Sequence, residues 1–276
     1  MPALPGQPKK HNLINKKTDT MKSLQDLVVE HPHLVVAHRG ASGTAPENTL
    51  TAMGLALEVG ALMLEIDVQI TTDDQIVVFH DETLERTTNG HGEICSFSYE
   101  ELKKLDAGSW FADRFRGEKI PLLDDVFQLI RGKACINVEI KPPTAGEDWQ
   151  KRIRLITAAT ASAAMTPFTM FSSFHHDSLR YLNALKQGFH TAALLPPGDK
   201  RLPALVLQDT GCQAFVCSLE ELTPEFGADI AAHGIFAGVY TINTAQEAEL
   251  ALQRHAKGLV TDFPERILQH LHALEQ

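Results

Sequence analysis

Glu65 and Asp67 flank Ile66 at the end of the apolar run Leu62-Met63-Leu64, and His38-Arg39 closes a second run, Leu34-Val35-Val36-Ala37. Successive side chains of a strand point to opposite faces, so Glu65 and Asp67 project together while Ile66 packs behind them. Neighbouring carboxylates repel unless a cation lies between them, and hard divalent ions such as Mg²⁺ or Ca²⁺ prefer oxygen donors of this kind. A third acid lies in Asn137-Val138-Glu139-Ile140-Lys141, whose polar residues share one face. Glu65, Asp67 and Glu139 are therefore expected to hold one divalent cation. The competing arrangement is a set of ion pairs with Arg39 and Lys141, but three acids against two bases leave negative charge in excess. His38 and His80, each at the end of a predicted strand, suit a general acid and a general base because imidazole titrates near neutral pH. Arg39 offers a planar fork and Lys141 a mobile point charge to phosphate oxygens. The combined chemistry is cation-assisted cleavage of a P–O bond.

Groups so far apart in sequence need a scaffold that brings strand ends together. Short aliphatic runs predict strands at Leu34 to His38, Leu62 to Gln69, Ile76 to His80, Ala134 to Ile140, Phe168 to Ser173, Thr191 to Leu195, Ala214 to Ser218, Gly238 to Thr241 and Gly258 to Thr261. Amphipathic stretches lie between most of them, such as Leu50, Met53 and Leu57 after Pro46. Repeated strand-then-helix units imply a parallel sheet covered by helices. About eight units over ~250 residues fit a (β/α)₈ TIM barrel, whose active sites lie at the C-terminal ends of the strands. No Gly-x-Gly-x-x-Gly follows the first strand, which counts against a dinucleotide-binding sheet. The stretch at about 81–121 is too long for an ordinary connection and reads as a small insertion after the second strand region, placed for binding. Residues 31–276 form the expected domain, with 1–30 a disordered or loosely held extension.

A formal charge of −10 counts against nucleic acid or an anionic membrane as partner, and no apolar run reaches the ~18 residues of a membrane-spanning helix. The Lys-rich N-terminus lacks the apolar core of a secretory signal. Cys95, Cys135, Cys212 and Cys217 have no metal-like spacing and read as buried, reduced thiols. These features predict a cytoplasmic protein with a small-molecule partner and no stable membrane association. His31-Pro32-His33 reads as a surface turn. His175-His176 follows a strand end, where a place beside substrate and an exposed helix start are equally open. Asp73-Asp74 and Glu220-Glu221 read as solvated turns or helix faces.

His38-Arg39-Gly40, Pro46-Glu47-Asn48-Thr49, Glu65-Ile66-Asp67, Phe79-His80-Asp81, Asn137 to Pro142, Ser172-Ser173-Phe174, Val239-Tyr240-Thr241 and Thr261-Asp262 resemble, in order, the glycerophosphodiester phosphodiesterase family. The likeness runs from about Val35 to the C-terminus. It implies the same barrel, a divalent cation on Glu65, Asp67 and Glu139, His38 and His80 as the acid/base pair, and Arg39 and Lys141 on the phosphate. It further implies that Glu47 and Asn48 order the first loop, and that Tyr240, where many members carry Trp, and Phe174 form an aromatic wall for the glycerol. The implied reaction yields sn-glycerol 3-phosphate and an alcohol. Two alternatives share the site: hydrolysis of lysophospholipids or sphingolipids, and non-catalytic binding of phosphodiesters.

Overall fold

The computed structural model describes residues 22–274. Among the described residues nine strands run in chain order as β1 (Leu34–His38), β2 (Met63–Ile70), β3 (Ile76–Val78), β4 (Cys135–Ile140), β5 (Thr169–Ser173), β6 (His190–Leu194), β7 (Ala214–Ser218), β8 (Phe236–Tyr240) and β9 (Gly258–Thr261). All but β3 are parallel, and β1 pairs with both β2 and β9, so eight strands close into a TIM barrel. Around them lie α1 (Leu24–Glu30), α2 (Leu50–Glu58), α3 (Tyr99–Leu102), α4 (Leu123–Ile130), α5 (Trp149–Ser162), α6 (His176–Ala184), α7 (Pro203–Thr210), α8 (Pro224–His233), α9 (Ala245–Gln253) and α10 (Pro264–Leu274).

Strand parity divides the core in two. Leu64, Ile66 and Val68 of β2 face outward and pack with Met53 of α2 and Val126 and Phe127 of α4. Val36, Met63, Cys135, Met170, Leu194 and Val216 face inward and fill the barrel. The same alternation that buries Met63 in the interior points Glu65 and Asp67 along the barrel axis toward its mouth. Helix ends are set by local chemistry: the Thr49 hydroxyl accepts from the Ala52 amide at the start of α2, while Gly211 and Gly234 end α7 and α8 in the left-handed region.

Three expectations change. Residues 1–21 of the expected loose extension lie outside the described residues, but Leu24–Glu30 is a helix, and its buried Leu24 and Leu27 join the barrel interior with Leu34 and Val36. A capping box between Ser23 and Asp26 fixes its start, so α1 closes the floor of the barrel. Next, the strand predicted to end at His80 is not a barrel stave. β2 overruns the rim, turns back at Thr71–Gln75, and β3 returns antiparallel with Val68 opposite Val78. Third, Cys95 is exposed, while the other three cysteines are buried as expected.

Between β3 and α4 the chain builds a small core of its own from Val77, Phe79, Leu84, Ile94, Leu102 and Ile120. The Asp106 carboxylate ties this segment together, accepting from the amides of Gly108, Ser109 and Gly117 and from the Ser109 hydroxyl. Gly108 is required here, since a Cβ would stand 1.9 Å from the Phe115 carbonyl oxygen.

Candidate active site

In the β1–β2 ladder His38 lies opposite Glu65, and in the β2–β4 ladder Asp67 lies opposite Glu139. One carboxylate oxygen from each of Glu65, Asp67 and Glu139 falls within 4.8 Å of the others. Lys141 Nζ lies 2.5 Å from Asp67 Oδ1 and 2.7 Å from Glu139 Oε1. Arg39 Nε lies 3.3 Å from Asp67 Oδ2, and Asn48 Nδ2 donates to the same oxygen at 2.8 Å. The ion pairs that competed with a cation in the sequence reading thus form on Asp67 and Glu139.

Glu65 differs from its neighbours. Its Oε2 accepts the Arg39 amide at 3.1 Å, but its buried Oε1 has no hydrogen-bond partner among the described residues. Burial and the nearby Asp67 charge push the Glu65 carboxyl up to about 8. Burial acts in the same sense on Asp67, yet the Lys141 ammonium and the Arg39 guanidinium outweigh it and hold Asp67 well below the usual carboxylate range. An orphaned, buried carboxylate oxygen beside two further carboxylates is a donor set that suits a hard divalent ion. The residues present therefore fit the cation that the sequence implies.

The loop after β1 reaches this cluster through an unusual backbone. Arg39 and Asn48 both sit at positive φ, and Gly40, at φ +82°, leaves no room for a Cβ, which would lie 2.6 Å from the Ala52 carbonyl carbon. The tight path aims the Arg39 amide at Glu65 and the Asn48 side chain at Asp67.

Each histidine is held by an acid. His38 Nδ1 donates to Asp262 Oδ1 at 2.7 Å, and Asp262 also accepts from the Ser42 hydroxyl and from Asn243 Nδ2. Burial opposes the His38 imidazolium, but the Asp262 hydrogen bond and the Glu65 charge prevail and raise its pKa. Asp262 is itself drawn down to about 2, since its bonds to His38, Asn243 and Ser42 overcome burial. His80 Nδ1 donates to Asp81 Oδ1 at 2.5 Å. The Asp81 carboxylate is lowered to about 2, chiefly by the hydrogen bonds from Arg86. In both rings the acid engages Nδ1, which leaves Nε2 on the side away from it.

His80 does not reach the mouth from the end of a barrel strand, as its sequence suggested. It is carried there by the β3 fold-back, where the Phe79 amide donates to the Asp67 carbonyl and Gln69 Nε2 contacts the His80 and Asp81 carbonyls. Glu47 bridges Arg39 and Arg86. The Phe174 and Tyr240 rings meet edge to face with centroids 6.5 Å apart, both partly buried above the barrel interior. His175 caps α6 and bonds Ser178, while His176 is buried against the Leu194 carbonyl, so neither joins the carboxylate cluster. Sequence reasoning assigned no role to Asp81, Arg86, Asn243 or Asp262. Only Asp81 and Asp262 carried a signal, each immediately beyond a predicted strand end.

A closed parallel barrel with acids, imidazoles and cations gathered at its mouth has the layout of a barrel enzyme's active site. Residues 38–266 match the model of the glycerophosphoryl diester phosphodiesterase family, and the chain belongs to that family. It is 35% identical over 241 residues to the glycerophosphodiester phosphodiesterase of Caldanaerobacter subterraneus subsp. tengcongensis, covering 85% of this chain and 96% of that relative. The solved glycerophosphodiester phosphodiesterase of Agrobacterium tumefaciens superposes with a TM-score of 0.73 at 29% identity, over 84% of this chain and 97% of the other. A phosphodiesterase of Oleispira antarctica, solved with its product sn-glycerol-3-phosphate, does so with a TM-score of 0.76 at 29% identity, over 87% and 96%.

Proposed function

We propose that this enzyme hydrolyses glycerophosphodiesters to sn-glycerol 3-phosphate and an alcohol, using one divalent cation, Mg²⁺ or Ca²⁺, held by Glu65, Asp67 and Glu139. The observation that carries the reading is the convergence of those three carboxylates within 4.8 Å, one of them orphaned, beside the acid-held His38 and His80. When bound, the cation offsets the clustered negative charge and stabilises charge on the phosphoryl oxygens. Arg39 and Lys141 add positive charge for the same oxygens.

One imidazole takes the proton of the glycerol 2-hydroxyl as that oxygen attacks phosphorus, while the other, as imidazolium, protonates the departing alcohol oxygen. Water then opens the cyclic phosphate with the two roles exchanged, which restores both rings. Asp262 and Asp81 fix the tautomers by accepting from Nδ1, so that each ring exchanges protons through Nε2. Phe174 and Tyr240 flank the glycerol. Glu47 and Asn48 hold the first loop in place.

Product analysis with glycerophosphocholine and lysophosphatidylcholine, each with and without added Mg²⁺ or Ca²⁺, tests the reading. Cation-dependent release of sn-glycerol 3-phosphate from glycerophosphocholine is expected. Preferential cleavage of lysophosphatidylcholine would move the assignment to lipid hydrolysis, and ligand binding without turnover would mark a binding protein.

A further inference from the structure

Arg86 belongs to the segment after β3, outside the barrel, and its guanidinium grips two carboxylates at once. Nε and Nη2 reach Asp81 Oδ2 and Oδ1 at 2.6 and 2.8 Å. Nη1 and Nη2 reach Glu47 Oε2 and Oε1 at 2.7 Å each. Beyond these acids the chain of contacts divides. Asp81 accepts from His80 Nδ1, and Glu47 Oε1 accepts from Arg39 Nη1 at 2.8 Å. One side chain therefore joins the acid that holds the His80 imidazole to the acid that holds the Arg39 guanidinium.

We propose that Arg86 is the positioning residue that sets His80 and Arg39 relative to each other, acting through Asp81 and Glu47. The inference rests on the function proposed above for His80 and Arg39. Four physical points support it. Arg86 stands at the rim, 45% exposed, and all four of its short contacts end on the two acids that bind His80 and Arg39, so whatever it adds to stability, its geometry fixes their orientation. Neither acid it holds belongs to the carboxylate cluster, so its influence on the reaction passes through the two side chains they bind. His80 rides on a short antiparallel fold-back rather than a barrel stave, so it has less backbone support than His38 and depends more on side-chain contacts. Only a planar fork can pair with both carboxylates in two-point fashion, and lysine cannot reproduce it.

The test is turnover of glycerophosphocholine at saturating cation, with melting temperature measured on the same samples. Arg86→Ala is expected to lose ~10–100-fold in kcat, the scale of a misplaced catalytic group, in protein that its melting curve shows to be fully folded at the assay temperature. Added guanidinium should restore part of the loss. Arg86→Lys, which keeps the charge and serves if the alanine variant fails to fold, should also fall by at least ~5-fold for want of the fork. In an Asp81→Asn/Glu47→Gln background, adding Arg86→Ala should cost less than ~2-fold, because the path it acts through is already cut. The same factor lost in both backgrounds would mark a merely structural arginine and overturn the proposal, as would wild-type kcat in Arg86→Ala while His80→Ala is inactive. Wild-type turnover by His80→Ala would instead overturn the underlying function.

Discussion

Asp262, at the end of the last barrel strand, accepts a 2.7 Å hydrogen bond from Nδ1 of His38, at the end of the first. Barrel closure makes this bond, since β1 and β9 are neighbours although the two residues stand 224 positions apart in the chain. The contact fixes the His38 tautomer and raises its pKa against the opposing effect of burial. Asp262→Asn should therefore lower the His38 pKa in the cation-free protein and reduce kcat ~10–100-fold, the usual effect of removing a partner that orients a catalytic or ligating imidazole. An NMR titration of the His38 ring protons together with steady-state rates checks both. An unmoved titration would remove Asp262 from this role.

The orphaned Glu65 carboxyl yields a prediction on stability. With its folded pKa raised to about 8 by burial and by Asp67, the folded chain binds more protons than the unfolded chain between about 4.5 and 8. Stability of the cation-free protein should therefore fall as pH rises through that window. A bound cation neutralises the site, so it should stabilise more at pH 8 than at pH 6 and release a proton at the lower pH. Glu65→Gln should abolish cation-dependent turnover and flatten both trends while leaving the fold intact. Melting curves across pH, with and without Mg²⁺ or Ca²⁺, check this. A cation response in Glu65→Gln equal to wild type would dismiss Glu65 as a ligand.

The carboxylate cluster was legible in the sequence because strand parity is local. Once Leu62 to Gln69 and Ala134 to Ile140 read as strands, the faces of Glu65, Asp67 and Glu139 follow without knowledge of the rest of the chain. The barrel strands were legible from the repeated strand-then-helix units, with small boundary shifts such as β8 beginning at Phe236 rather than Gly238. The route of His80 was not, since an apolar run of three residues looks alike whether it forms a stave or folds back outside the barrel. The pairing of each histidine with its acid was not legible either, although Asp81 and Asp262 stand just beyond predicted strand ends. Asp262 meets His38 only when the barrel closes, and Arg86 lies in an irregular segment whose path no periodicity reveals. The floor helix was missed because a seven-residue helix with two buried leucines carries too short a pattern to stand out beside a Lys-rich tail.

Asp106 gives the segment after β3 a single point of failure. It accepts three backbone amides and one hydroxyl, and the bonds from Ser109, Gly108 and Gly117 outweigh desolvation and hold its carboxyl far below the ordinary value. A depressed folded pKa adds stability above the unfolded pKa of about 3.9, and that stability is lost as pH falls through and below that value. Asp106→Ala should cost about 1–3 kcal/mol, the scale for hydrogen bonds to a charged group. It should also raise hydrogen exchange first at Gly108, Ser109 and Gly117. Urea titration and amide exchange check the change, and uniform exchange across the barrel would show that the segment does not open separately.

Floor and mouth of the barrel should respond separately to mutation. Leu27 is 3% exposed and packs with Leu34, Val36 and Met63 at the end of the barrel opposite the carboxylates. Leu27→Ala removes buried apolar volume from a site whose strands cannot collapse inward without breaking the ladder, so about 2–4 kcal/mol of stability should be lost. The strand register that aligns His38 with Glu65 and Asp67 with Glu139 is held by backbone pairing and by the outer core of Ile66, Val68 and Val138, which this substitution leaves intact. Below the lowered melting temperature, kcat and KM for glycerophosphocholine should stay within about twofold of wild type, because mutations far from shared partners act nearly independently. Denaturation curves paired with steady-state kinetics test the separation. A large fall in kcat at a temperature where Leu27→Ala is fully folded would show instead that the floor helix sets the geometry of the mouth.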